Sequence, residues 1–168
     1  MKNVSGFTLI ELMVTVALVA ILATIAVPSF RSVLQNSRAA AQANELVGAL
    51  NLARGEAIKR GRTVTLCISD DGATCSGDDW AAGWLVWQDA DGDGNVDASE
   101  IIKLEPALQG GSTLTEANAT DSVQYLASGA ASAAMSFSLT IPECTTDHGR
   151  TINLTRVGQV TTARADCP

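Results

Sequence analysis

The residues best suited to chemistry lie between 89 and 100, in the segment DADGDGNVDASE. Asp89, Asp91, Asp93, Asp97 and Glu100 bring five carboxylates into twelve residues, with Gly94 and Asn95 between them. These occupy the first, third, fifth, ninth, twelfth, sixth and seventh places of an EF-hand calcium loop. Alternate side chains and the backbone carbonyl of Asn95 can wrap a hard cation there while the glycine makes the sharp turn. The flanks GWLVWQ and IIKLEP read as strands, not as the helices of an EF-hand, and tight hairpins favour the same Asp, Gly and Asn residues. The loop is thus either a structural Ca2+ site or a polar turn, and no other cofactor is required. Catalysis finds no support. His148 is the single histidine; it falls in a TTDHG turn with no nucleophile elbow or phosphate-cradling loop, and reads as a solvated turn residue of a non-enzyme. Trp80, Trp84 and Trp87 suggest a ligand platform, but Trp84 and Trp87 fall on opposite faces of a strand. One then belongs to the core and the other lies beneath a loop or a partner.

Cys67, Cys75, Cys144 and Cys167 can pair in three ways, and their gaps lack metal-ligand spacing. The expected pairing is local, Cys67 with Cys75 and Cys144 with Cys167, in a domain delivered to a compartment where disulfides persist. Charge is divided along the chain. From Arg31 to Arg62 there are six basic and two acidic residues, and from Thr63 onward four basic and fifteen acidic. An acidic head repels phosphate backbones over most of its surface, which argues against general nucleic-acid binding.

A second chemical feature is Glu11, near the start of FTLIELMVTVALVAILATIAVPSF. The nineteen residues Leu12 to Phe30 carry no charge, a length that in a helix nearly crosses the roughly 30 Å hydrocarbon core of a bilayer. A carboxylate beside that core costs about 2.5–3.5 kcal/mol, so Glu11 calls for a positive partner. Gly6, Phe7, Thr8, Leu9, Ile10 and Glu11, preceded by MKNVSG with Lys2 and followed by the apolar run and Pro28, resemble the prepilin signature of type IV pilins and type II secretion pseudopilins. The resemblance implies that a prepilin peptidase cuts between Gly6 and Phe7 and methylates the new amino terminus. It also implies that Glu11 pairs with the Phe7 amine of a neighbouring subunit, a pairing that suits an amine of pKa near 8 in a low dielectric. The chain would stand first as a single-pass inner-membrane protein with a periplasmic head, then in a pilus or pseudopilus fibre.

The elements that must carry these residues follow from periodicity. A helix is expected from Phe7 to about Arg60, on the order of 80 Å long, with a kink or frayed turn at Pro28 and a left-handed cap at Gly61. Val33, Ala40, Val47, Leu50, Ala57 and Ile58 form the stripe expected to lie on the head. Beyond Gly61 alternation takes over. Strands are expected at Arg62 to Ile68, Gly83 to Gln88, Ile101 to Pro106, Val123 to Ala127 and Met135 to Pro142, with TINLT and QVTTA as a closing pair, while QGGSTLTEANATDS reads mostly as loop. The fold class is α+β, a long amino-terminal helix packed on a small antiparallel β-sheet head. The organisation is a leader at 1–6, a transmembrane and assembly half-helix at 7–30, an amphipathic half-helix at 31–61 and the head at 62–168.

A long helix followed only by strands, with tryptophans in a GWxVxxD segment and an acidic hairpin loop, is similar to the GspH/FimT group of minor pilins and pseudopilins. That resemblance implies two small sheets against the helix and a structural subunit that initiates or caps assembly near a fibre tip. Its partners would be major and minor pilins or pseudopilins, the prepilin peptidase and inner-membrane lipid. Some members of the group receive DNA through a basic GRxR-like motif near the carboxyl terminus. Here the matching stretch is Gly158, Gln159, Val160, Thr161; both arginine places are lost, leaving Arg156 and Arg164 as weak substitutes. The alternatives are therefore a type II secretion pseudopilin, a DNA-binding pilus receptor and a calcium-dependent tip adhesin.

Overall fold

The computed structural model describes residues 7–144 and 147–167. The leader, with Lys2 and the cleavage residue Gly6, lies outside the described residues, as do Thr145 and Thr146 of the turn before His148. The chain divides into two units, Met1–Gln35 and Asn36–Pro168. The first helix, α1 (Leu9–Arg60), contributes to both.

In the first unit Thr8 caps the start of α1. Thr8 and Glu11 are spaced as T-x-x-E, and the Glu11 N–H donates to Thr8 Oγ1 at 3.3 Å. No described residue of this unit is buried. Its hydroxyls are nonetheless hidden from an apolar solvent: Thr15 donates to the Leu12 carbonyl at 2.8 Å and Thr24 to that of Ile21 at 2.7 Å. Pro28 stands inside α1, and helical residues continue on both sides of it.

In the second unit α1 buries Ala39, Gln42, Ala43, Leu46, Ala49, Leu50, Ala53 and Ala57. This corrects the expected stripe. Leu50 and Ala57 hold, but Val33 and Ile58 are exposed and Ala40 and Val47 only half-buried. The buried face is mostly alanine, so the helix approaches the sheets closely, and small side chains carry little of the apolar signal that a sequence displays. A Schellman motif ends the helix: the Gly61 N–H bonds the Ile58 carbonyl, the Arg62 N–H bonds that of Ala57, and Gly61 takes a φ of 64°.

Among the described residues eight strands form two antiparallel sheets. β1 (Val64–Ile68), β2 (Gly83–Trp87), β3 (Ile101–Pro106) and β5 (Ser122–Tyr125) make the first, in the order β3-β2-β1-β5. β4 (Thr113–Glu116), β6 (Met135–Thr140), β7 (Gly149–Leu154) and β8 (Val160–Ala165) make the second, in the order β4-β6-β7-β8. β4 corrects the expectation of a loop over QGGSTLTEANATDS. Its four residues alternate exposed and buried, too short a run to stand out among Thr and Gly, and pairing with β6 from Thr113↔Thr140 to Glu116↔Phe137 decides it.

One core joins α1 to both sheets, centred on Leu46, Leu50, Leu66, Trp84, Tyr125, Phe137 and Ile152. Each large apolar side chain buried there is worth about 1.5–3 kcal/mol. A smaller cluster of Cys67, Leu85 and Trp87, with Val96 against it, occupies the other face of the first sheet. This is why β2 is buried at all five positions. Trp84 thus lies in the main core and Trp87 under the acidic loop that supplies Val96. Trp80 meets Phe137 edge-on with centroids 5.1 Å apart and donates to the Thr120 carbonyl. All three tryptophans are buried, so they form no exposed platform.

Candidate functional site

The acidic loop joins β2 to β3 as a hairpin, closed by a bulge between Val86 and Trp87 and the Trp87↔Ile101 pair. Asp89 organises its first half, accepting the Gly92 N–H at 2.6 Å on one oxygen and the Gly94 N–H at 3.1 Å on the other. Asp91 accepts the Asp93 N–H at 3.1 Å. Asp93 accepts the Asn95 N–H at 2.7 Å and its side-chain amide at 3.1 Å, and these bonds hold its carboxyl below the ordinary carboxylate range. As a result ligand oxygens of Asp89, Asp91 and Asp93 lie within 4.8 Å of one another, close enough for one cation.

Glu100, at 7 % exposure, is turned into the loop from its far end. Its Oε1 accepts the Ala90 N–H at 2.6 Å and its Oε2 the Asp97 N–H at 3.3 Å. Backbone bonds Gln88 N–H to Glu100 carbonyl and Glu100 N–H to Asp97 carbonyl complete the closure. Glu100 therefore fastens the hairpin through its own hydrogen bonds, while Asn95 and the exposed Asp97 stand outside the three-carboxylate group. The burial of Glu100 had no separate signal in the sequence, since the EF-hand spacing counts it as one ligand among six.

The other singled-out residues fall in different places. The disulfide Cys67–Cys75 ties β1 to the loop after it, and Cys144–Cys167 ties the middle of the β6–β7 connection to the residues after β8. Among the described residues no cysteine is free. His148 is buried, which corrects its reading as solvated: it directly precedes β7, whose first residue, Gly149, pairs with Ala165 of β8. Beside it Arg150, also buried, donates to the carbonyls of His148 and Gly149 and to Asn36 Oδ1 of α1.

Arg156 and Arg164 do not form one surface. Arg164 pairs with Asp147 at 3.1 Å and thereby lowers the Asp147 pKa, whereas Arg156 lies in the exposed β7–β8 turn. Four residue steps, about 13 Å along β8, set Arg164 away from Val160 at the end of that turn. At that turn Gly158 adopts a φ of 81°, and a Cβ there would lie 2.1 Å from the Gly129 carbonyl oxygen, so only glycine fits. Arg54 of α1 is a functional-looking residue that the sequence reading passed over. Its Nε donates to the Gly129 carbonyl at 3.0 Å and its Nη2 to that of Val157 at 3.1 Å, fastening two turns to the helix.

Two family models match this chain. Residues 1–27 match the prokaryotic N-terminal methylation motif, and residues 42–158 match the family described as type II transport protein GspH. No curated protein matches the sequence significantly. Among solved structures, the type IV minor pilin FimU of Pseudomonas aeruginosa PAO1 is similar with a TM-score of 0.61 at 20% identity, over 76% of this chain and 89% of that one. The minor pseudopilin EpsH from the type 2 secretion system of Vibrio cholerae is similar with a TM-score of 0.55 at 16% identity, over 76% of this chain and 97% of that one. At such identities the two structures share the fold, a long helix against two small sheets, with this chain. The match over residues 42–158 takes in the end of α1 from Gln42, the acidic hairpin and every strand but β8, and with it the chain belongs to the GspH family, in the pilin and pseudopilin superfamily.

Proposed function

We propose that this chain is a minor type IV pilin, a non-catalytic subunit that helps to initiate or cap a fibre near its tip. The observation that carries this reading is α1 itself. Its residues 9–30 are exposed throughout, carry Glu11 as their one charge and are followed without a break by a half-helix that seats the head. A stretch so apolar needs lipid before assembly and other apolar helices afterwards. In this reading the prepilin peptidase cleaves between Gly6 and Phe7 and methylates Phe7, and Glu11 then pairs with the Phe7 amine of a neighbouring subunit. The Thr8–Glu11 bond supports it by fixing the Glu11 backbone in the first turn of the helix. Glu11→Ala is expected to leave cleavage intact and to reduce recovery of the subunit in sheared fibres. Incorporation equal to the wild type would remove this pairing from recruitment.

A pseudopilin role in type II secretion is the second reading, favoured by the matching family's own description and by the likeness to EpsH. Deletion of the gene distinguishes them: loss of surface fibres supports the pilus, loss of protein secretion the pseudopilus. DNA reception has less support, because Arg164 is paired with Asp147 and Arg156 stands alone in an acidic head. The acidic loop has a structural role in either system, closing the hairpin over Trp87 with a calcium ion held by Asp89, Asp91 and Asp93.

A further inference from the structure

Four large aliphatic residues of the unit Asn36–Pro168 are exposed among those described, and three of them, Ile58, Leu126 and Val157, lie on the last turns of α1 and on two turns held against it. The turn from Leu126 to Gly129 is closed by a 2.8 Å backbone bond and lies so near the last turn of α1 that a Cβ on Gly129 would stand 2.8 Å from Ile58 Cδ1. The turn from Thr155 to Gly158 stacks on it, with the Ala131 N–H bonded to the Arg156 carbonyl at 2.9 Å. Arg54 ties both turns to α1 through Gly129 and Val157. Ile58 is 52%, Leu126 47% and Val157 68% exposed. Aliphatic side chains this open, on turns this firmly held, form a preorganised contact that loses little entropy on binding.

The charge around them is distinctive. Neither turn contains a carboxylate, although the chain from Thr63 onward has fifteen. Arg156 is exposed and its side chain meets no partner among the described residues, and Lys59 on the adjoining helical turn is 75% exposed, held only by Glu56 at 3.2 Å. We propose that Ile58, Leu126 and Val157, with Arg156 and Lys59 at their rim, dock the head of a different pilin-like subunit that presents aliphatic side chains ringed by carboxylates. A second copy joined through the same patch would set Arg156 and Lys59 against their own counterparts, which like-charge repulsion opposes. Nucleic acid would leave the aliphatic centre against phosphate, without the array of cations that such binding needs.

This inference rests on the fibre function proposed above, and the test separates the two. A photo-crosslinking residue at position 157 of the full-length chain, in cells that assemble the fibre, is expected to trap a partner with its own prepilin-type apolar helix. Arg156→Glu should weaken that adduct. Leu126→Asp and Val157→Asp should each lower recovery of the chain in sheared fibres roughly tenfold, as loss of a central contact residue does, with the melting temperature unchanged because both side chains are exposed. Adducts only with a second copy, no adduct despite normal incorporation, or a labelled DNA duplex retained by the wild type and released by Arg156→Glu would each overturn the proposal. If Glu11→Ala blocks incorporation while Leu126→Asp does not, the fibre function stands and this surface is not the docking site. If the wild-type chain is itself absent from sheared fibres, both readings fall.

Discussion

Glu100→Ala removes the buried carboxylate that fastens the acidic hairpin, and its cost can be worked from the bonds it makes. The 2.6 Å bond from the Ala90 N–H is short and well shielded, and the 3.3 Å bond from the Asp97 N–H is weaker. A hydrogen bond to a charged group contributes about 1.5–3 kcal/mol, so losing the pair costs about 2–4 kcal/mol. At about 4 °C per kcal/mol for a domain of this size, the melting midpoint falls roughly 8–16 °C in chelator. Asp93→Ala should behave differently there, because Asp93 is exposed and water can take over its bonds to Asn95, leaving the midpoint near that of the wild type. Calcium reverses the comparison. At a hundredfold excess over its dissociation constant the ion is expected to add about 2.7 kcal/mol to the wild type and nothing to Asp93→Ala, which has lost one of the three clustered carboxylates. The assay is circular-dichroism melting of the full chain in detergent, in chelator and in saturating calcium. Were Glu100→Ala to melt within about 2 °C of the wild type in chelator, the carboxylate would not be what closes the loop. An equal calcium shift in the wild type and Asp93→Ala would remove Asp93 from the ion site, and no shift at all would leave an acidic turn.

Three further outcomes follow from the head. Tyr125 is the chain's one tyrosine, and burial pushes its phenol up to about 12 although nearby Arg54 opposes this. Since the folded state then keeps a proton that the unfolded state releases near pH 10, stability should fall as pH rises from about 10 to 12, with tyrosinate absorbance appearing together with unfolding; titration near pH 10 in a folded chain would contradict this burial. Gly158→Ala forces a side chain into a left-handed turn and against the Gly129 carbonyl, and should cost about 2–3 kcal/mol in denaturant unfolding, with the helix content of the native state unchanged. The loops closed by Cys67–Cys75 and Cys144–Cys167 span 8 and 23 residues. The chain-entropy model gives about 2.5 and 3.4 kcal/mol for them, so replacing the second pair by serine should lower the denaturation midpoint more than loop closure of the first pair accounts for, and an unchanged midpoint would count against that closure.

What the sequence by itself determined is whatever rests on neighbours along the chain. The uncharged run from Leu12 to Phe30, the lone Glu11 and the Gly61 stop are local patterns, and local backbone energetics answer to them directly. The cysteine pairs are close in sequence, and most strands declare themselves by alternation. The three clustered aspartates follow from the turn chemistry of their own loop. Tertiary structure alone decided the rest. The helix face that carries the core is set by alanines, whose burial records how closely sheets approach and not how apolar the residue is. β4 exists because β6 is there to bond it. Arg150 is buried because β7 lies between β6 and β8 and α1 brings Asn36 to it. Glu100 faces inward because Ala90 and Asp97 turn their N–H groups toward it across the hairpin. Ile58, Leu126 and Val157 are separated by as many as 99 residues, and they share a surface only because Arg54 draws two distant turns onto one helix. Contacts of that range depend on where the whole chain closes, and no window of sequence contains both ends of them.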